Sequence, residues 1–265
     1  MDYVVAIPSF QRTDILNAAT LPTLVRHGVD LDRVTVWTAN DHERKKYEAE
    51  LTYRVRVCTA SPGVLGARQF YHSAYPEGTP IVNLDDDISG IQQKDGDKLK
   101  DPQFTFDQIV ETGFGICEKT NAKIWGLNPV SNGWFMRDQV TVGLRYICAI
   151  FFGSYAGDQE MSGERIVNAS GSGEDFEMSI KSFIAHGSTV RFEFLTPLTK
   201  YFATGGIDAD LAGHGITRAD DHLRQLQAIE LAYPDHCTLY TKAQGIANLR
   251  LKRVTHARIP LAAIA

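Results

Sequence analysis

Three consecutive carboxylates, Asp85, Asp86 and Asp87, follow directly on the apolar run Pro80-Ile81-Val82-Asn83-Leu84. Carboxylate oxygens are hard donors that suit Mg²⁺ or Mn²⁺, and such a cation bridges to phosphate oxygens. Strands of α/β sheets present their carboxyl ends to the ligand crevice, so an aspartate cluster at such an end fits a divalent cation carrying a diphosphate. A solvated acidic turn is the alternative, since Asp is common in turns; the apolar run before it favours the cation site. A second acidic pair, Glu174-Asp175, follows Ser172-Gly173. At a helix start the dipole lowers a carboxylate's pKa, which keeps it ionised and able to accept the proton of an attacking hydroxyl, the task of a general base. The same residues also fit a helix cap in which Ser172 caps and Asp175 answers from the third position. Arg68, after the Gly63-to-Gly66 turn, can lay a planar guanidinium on a phosphate or a nucleobase, as lysine cannot. Arg12 offers the same group after the first strand, while Thr38, Asn40 and Asp41 close the second, where a base edge is commonly read.

The elements that must position these groups alternate between two periods. Tyr3 to Ile7, Val34 to Thr38, Arg54 to Cys58 and the run into Asp85 have strand character; Glu43 to Leu51 and Gly66 to Tyr75 have helical character. A helix opening at Thr13 runs through Leu16, Leu21 and Leu24 with Pro22 as an interruption. Strand–helix alternation at this spacing predicts an α/β fold with a mostly parallel sheet and helices on both faces. Further on, Phe104 to Lys119, Glu174 to Phe183 and Thr217 to Ala232 are expected as helices. Ile124 to Leu127, Tyr146 to Phe152 and Thr189 to Leu195 are expected as strands, and Asn128 to Gln139 as a turn-rich loop holding Trp134 and Phe135.

Composition bounds the possibilities. The chain has 265 residues, 43% of them hydrophobic and 22% charged, enough for an ordinary core and incompatible with disordered or fibrous classes. No basic leader and no long apolar run is present, so a cytoplasmic protein with no membrane partner is expected. Cys58, Cys117, Cys148 and Cys237 lie far apart, which fits scattered reduced thiols. A net charge of −5 gives no global attraction for polyanions; the local exception is the tract Arg250, Lys252, Arg253, His256 and Arg258.

Four segments in order, Val5-Ala6-Ile7-Pro8-Ser9-Phe10-Gln11-Arg12, Gly63-Val64-Leu65-Gly66-Ala67-Arg68, the Asp-x-Asp of Asp85 and Asp87, and Gly173-Glu174-Asp175, together resemble the GT-A class of nucleotide-sugar glycosyltransferases. The resemblance covers most of the chain. It implies one Rossmann-like GT-A domain over residues 1–265, with a nucleotide-binding half at 1–90 and an acceptor and catalytic half at 91–265. It implies a UDP-sugar donor held by Pro8, Ser9, Arg12, Thr38, Asn40, Arg68, Asp85 and Asp86. Mn²⁺ or Mg²⁺ is then held by Asp85 and Asp87 with a late histidine, for which His214 and His222 both stand. Asp175 is the implied base, with Glu174 contacting acceptor or sugar. The segment Thr204-Gly205-Gly206-Ile207 followed by His214 and His222 resembles, more narrowly, the phage glycosyltransferases associated with TET-type oxygenases. That implies 5-hydroxymethylcytosine in DNA as acceptor, entering near Trp134 and Phe135, and the infected host's cytoplasm as location. The alternative acceptor is a polysaccharide, lipid or protein hydroxyl. A nucleotidyltransferase also places carboxylates at strand ends, but Pro8-Ser9-Phe10-Gln11 lacks its Gly- and Lys/Arg-rich signature, and a pure binding module leaves Asp85 to Asp87 without a role.

Overall fold

A computed structural model describes residues 1–167, 171–199, 217–243 and 245–264. The first 84 residues alternate as expected: β1 (Val4–Pro8), α1 (Thr13–Ala18), α2 (Thr20–Arg26), β2 (Val34–Thr38), α3 (Asp41–Glu50), β3 (Arg56–Thr59), α4 (Val64–Ala74) and β4 (Pro80–Leu84). The helix opening near Thr13 breaks at Ala19, three residues before Pro22, because a proline fits only the first turn of the helix that follows. Asn40 caps α3 by accepting the Glu43 N–H at 2.9 Å.

The later half supplies β5 (Gly90–Asp95), β6 (Lys98–Lys100), α5 (Phe106–Thr120), β7 (Trp125–Leu127), β8 (Gln139–Leu144), β9 (Phe151–Tyr155), α6 (Gln159–Ser162), α7 (Glu174–His186), β10 (Thr189–Phe192), β11 (Leu195–Leu198), α8 (Arg218–Ala232), β12 (Cys237–Thr241), β13 (Ala247–Leu251) and β14 (Val254–Pro260). Nine strands form one sheet in the order β14-β8-β10-β7-β9-β4-β1-β2-β3. Pairing is parallel from β3 through β2 and β1 to β4 and again between β7 and β10. β9 runs antiparallel between β4 and β7, which leaves β7 and β10 pointing the same way as β4. The carboxyl ends of β1 to β4, β7 and β10 therefore share one edge.

Both faces of the sheet are covered, as the continuous burial of β1 requires. Val5 and Ile7 pack on one side with Leu16 and Leu24 and with Ile109, Val110 and Phe114 of α5. Ala6 faces the other side, with Trp37 and with Ala67 and Tyr71 of α4. α5 opens on a complete capping box between Thr105 and Gln108. Among the described residues no helix is long and apolar enough to cross a membrane, and the four cysteines are free thiols.

The strand expected over Tyr146 to Phe152 begins only at Phe151. Residues 145–150 instead form a strap leading from the end of β8 to the start of β9, whose main chain bonds mostly to side chains until the Ile150 carbonyl takes the Asp85 N–H at 2.9 Å. The Tyr146 carbonyl accepts from Arg191, the Ile147 N–H donates to Ser179, and the Ala149 carbonyl accepts from Arg68. The alternating Val140, Val142 and Leu144 that follow the expected loop form β8, and β5, β6 and β11 make a separate small sheet.

Candidate active site

The parallel strands set the geometry of the acidic cluster. The turns after β1, β2, β3 and β4 meet around a cleft of about 260 Å³ whose lining includes Pro8, Ser9, Arg12, Trp37, Asn40 and Asp85. The first turn passes through Gln11 in the left-handed region, φ 56°, a conformation few non-glycine residues adopt. Its N–H is taken by Glu43 at 3.0 Å. This turn aims Arg12 across the triplet: Nη1 meets Asp86 at 2.7 Å and Nη2 meets Asp87 at 2.9 Å. Ser9 donates to the other Asp86 oxygen at 2.5 Å and contacts the Tyr47 hydroxyl at 2.8 Å. Asp86 is buried, and burial pushes it up to about 7 against the pull of Arg12.

Arg68 performs the larger junction. It is 5% exposed on α4, yet carries a full charge, and a buried cation must be paired. Its Nη2 donates to Asp85 at 2.9 Å and to the Ala149 carbonyl at 2.8 Å, and its Nη1 pairs with buried Glu174. One guanidinium thus joins the Asp triplet to the acidic pair at the start of α7. Beneath it runs a buried polar chain. His72 bonds the Arg68 carbonyl through Nδ1 at 2.8 Å, so that nitrogen carries the proton, and Nε2 then accepts from Ser154 at 2.7 Å. Asn83 donates to Ser154 and accepts from Tyr71 at 2.7 Å. Burial holds the His72 imidazole down at about 4.

Asp175 sits beside this junction. Its Oδ2 accepts the Tyr146 hydroxyl and its Oδ1 the Phe176 N–H at 3.1 Å. The dipole argument predicts a lowered pKa; burial overrides it, so Asp175 is raised despite the Tyr146 bond and the nearby Arg68. The expected Ser172 cap is absent too, since Gly173, at φ 84°, occupies the capping position and forms no side-chain cap bond. Asp85 lies close enough to Asp175 to feel its charge; burial pushes Asp85 up to about 6, against the pull of Arg68 and with the help of the Asp87 charge.

Of the remaining expected residues, Asn40 lines the cleft, while Thr38 is fully buried with its hydroxyl directed to the Cys58 carbonyl at 3.2 Å. Asp41 is exposed and bonds Thr59 and Arg44. Trp134 and Phe135, each 65% exposed, stand on the one-turn segment Gly133–Phe135 after β7. His222 lies partly buried on α8, and His214 falls outside the described residues. Tyr146, Tyr47, Glu43 and Thr199, the last donating to Asp87 at 2.5 Å, join the site without having been expected there. Each looks in sequence like ordinary packing or an ordinary turn.

The donor set bears on the cation. Asp85 has one oxygen on Arg68, and no described residue donates to its Oδ2; both Asp87 oxygens carry bonds, from Arg12 and Thr199. Among the described residues no three His, Cys, Asp or Glu side chains converge as a metal cluster. Two carboxylates completed by phosphate oxygens and water are, however, the ordinary coordination of Mg²⁺, and the residues present fit that pattern.

The sequence matches no family model and no curated protein. Solved structures do resemble it. A mycobacterial protein aligns at 10% identity over 99% of this chain and 87% of its own, with a TM-score of 0.50. The likeness is one of fold. Glucosyl-3-phosphoglycerate synthase from Mycobacterium tuberculosis, solved with Mn²⁺ and UDP-glucose, aligns at 11% identity over 99% and 91% of the two chains with a TM-score of 0.47. Residues 1–349 of S. aureus TarS align at 14% identity over 74% of this chain, with a TM-score of 0.47, and this chain spans 59% of the length of that structure. The α/β architecture expected from the sequence, a large sheet with helices on both faces, is the one observed.

Proposed function

We propose that the protein is a metal-dependent glycosyltransferase that moves a sugar from a UDP-sugar to a hydroxyl acceptor. The observation that carries this reading is the Arg68 bridge, which ties Asp85 of the acidic cluster to Glu174, the chain neighbour of the candidate base Asp175. The nucleotide would occupy the cleft along Pro8, Ser9, Arg12 and Asn40. Asp85 and Asp87 would hold the cation, which, when bound, neutralises charge developing on the leaving diphosphate. In the transfer, the bond from the acceptor oxygen to the anomeric carbon forms as the bond to the diphosphate oxygen breaks, and the hydroxyl proton passes to Asp175. Burial favours this assignment, because a raised carboxylate pKa makes a stronger base. Tyr146 orients the carboxylate, and Glu174 holds Arg68 in place.

For the acceptor, the narrower reading is 5-hydroxymethylcytosine in DNA. It draws support from Trp134 and Phe135, which are open to solvent at the edge of the sheet where the cleft lies and have the flat faces on which bases stack. The net charge of −5 favours instead an uncharged glycan, lipid or peptide hydroxyl. Calorimetry with UDP and Mn²⁺ tests the donor half: wild type binds, and Asp85→Asn loses the metal-dependent part of the affinity. Equal UDP affinity with and without Mn²⁺ sinks the metal assignment. Transfer from a panel of UDP-sugars to DNA carrying 5-hydroxymethylcytosine, to unmodified DNA and to glycan acceptors tests the acceptor half. Modification of a glycan with none of the DNA excludes the nucleic-acid reading.

A further inference from the structure

The basic tract near the C-terminus is not one patch. Arg250 lies over the Tyr240 ring on the β12–β13 hairpin, and Lys252 bonds the Pro234 carbonyl. Arg258 belongs elsewhere. On β14, the edge strand of the large sheet, it stands opposite Thr141 of β8, and Thr141 also stands opposite Arg191 of β10. Directly opposed residues of antiparallel strands project to the same face. Arg191 and Arg258 therefore flank Thr141 on one face, their Cα atoms about 10 Å apart at two strand spacings.

Arg145, at the end of β8, completes the group. Its guanidinium reaches the Val254 carbonyl at 3.0 Å and Thr255 on β14, and its Nε lies 3.9 Å from Glu193. Glu193 is also the carboxylate that pairs with Arg191, at 2.9 Å. The buried Nε of Arg191 has no hydrogen-bond partner among the described residues. Arg253 and Arg258 are exposed and form no ion pair among the described residues. Arg145 and Arg191 thus share one carboxylate, with Arg258 two strands from Arg191 on the same face, in a protein of net negative charge. The crowding is felt electrostatically: burial and then the neighbouring Arg191 lower the pKa of Arg145, with Arg253 and Arg258 contributing.

The cluster is tied to the candidate base through one residue. Arg191 Nη1 donates to the Tyr146 carbonyl at 3.2 Å, and the Tyr146 hydroxyl bonds Asp175. We propose that Arg145, Arg191, Arg253 and Arg258 form an anion subsite that takes a phosphate group of the acceptor and so delivers a nearby hydroxyl toward Asp175. Arginine forks match phosphate oxygens geometrically, and the word acceptor rests on the transferase reading above. The phosphate belongs either to a small phosphorylated molecule or to a nucleic-acid backbone.

Two probes separate these sources: inorganic phosphate, read by the shift in thermal unfolding, and a fluorescent DNA duplex, read by anisotropy across a salt series. Arg258→Glu, with Arg253→Glu as a second exposed variant, should weaken the probe that fits the site by about tenfold or more, the scale of one charge-assisted contact. Loss confined to inorganic phosphate identifies a small phosphorylated acceptor. Loss of duplex binding, with a log–log salt slope shallower by about 0.9 per contact removed, identifies the backbone. Absence of binding by wild type, or equal binding by wild type and both variants, overturns the subsite. UDP titration with Mn²⁺ on the same samples reads the donor site separately, so failure of the transferase reading is distinguishable from failure of this one.

Discussion

Asp175 differs from the other carboxylates of the site in its partners. Asp86 and Asp87 are clamped by Arg12, and Asp85 and Glu174 by Arg68, whereas among the described residues the Asp175 carboxylate accepts from a hydroxyl and a backbone N–H and from no cation. A carboxylate without a fixed cation retains its basicity. Asp175→Asn should therefore leave UDP and Mn²⁺ affinity near wild type while turnover falls by about 10²–10⁴, the usual contribution of proton transfer. Steady-state kinetics alongside calorimetry measure both; a variant with undiminished turnover removes Asp175 from the proton path. Much of this site was legible residue by residue, since Asp85 to Asp87, Arg12, Arg68, Glu174 and Asp175 all stand out by type and position. Tyr146 was not. It lies in a segment whose apolar residues look like a strand, and the property that matters, a hydroxyl reaching α7, depends on a contact 29 residues along the chain.

At the scale of elements, β1, β2 and β4 were readable because each is an apolar run bounded by turn residues and buried on both faces, and the edge strand β3, only partly buried, through its alternating apolar positions. The later strands were harder to read. β7, of three residues, falls within the strand expected over Ile124 to Leu127, whereas β9 contains Gly153 and offers no period to detect. Gly153 has a packing reason. A Cβ there would lie 2.0 Å from Trp125 Nε1 and 2.3 Å from its Cε2, and Trp125 is fully buried among Phe114, Phe151 and Phe192. The indole cannot move without displacing that aromatic cluster. Gly153→Ala should cost about 1–3 kcal/mol, the range for overpacking a core, or prevent folding, as judged by urea denaturation. Wild-type stability in this variant would mean that the Trp125 pocket yields more readily than its packing implies.

For the molecule as a whole, the buried chain through His72, Ser154, Asn83 and Tyr71 links stability to pH. His72 titrates at about 4 in the fold against an ordinary 6.5, so below 6.5 the unfolded chain binds the extra proton and folding loses ground. The His72 contribution is complete above pH 6.5 and declines as pH falls toward 4, by roughly 3 kcal/mol in total. Chemical denaturation of wild type and His72→Gln at several pH values isolates it: the variant should lack this part of the acid loss. Parallel pH profiles would show that the imidazole is not held neutral by the fold.

The Arg68–Glu174 junction has a temporal consequence. Its partners stand more than a hundred residues apart, and β9, which the chain supplies late, must lie against β4 before the Ala149 carbonyl can meet Arg68. During synthesis the strands β1 to β4, whose turns line the cleft, can pair while still tethered to the ribosome, but Arg68 lacks its Glu174 partner until α7 has emerged. Pairings this distant are slow to close. On the transferase reading proposed above, catalysis should therefore appear late in the birth of each molecule, after the cleft between the first strands has formed, so that truncated chains remain catalytically silent.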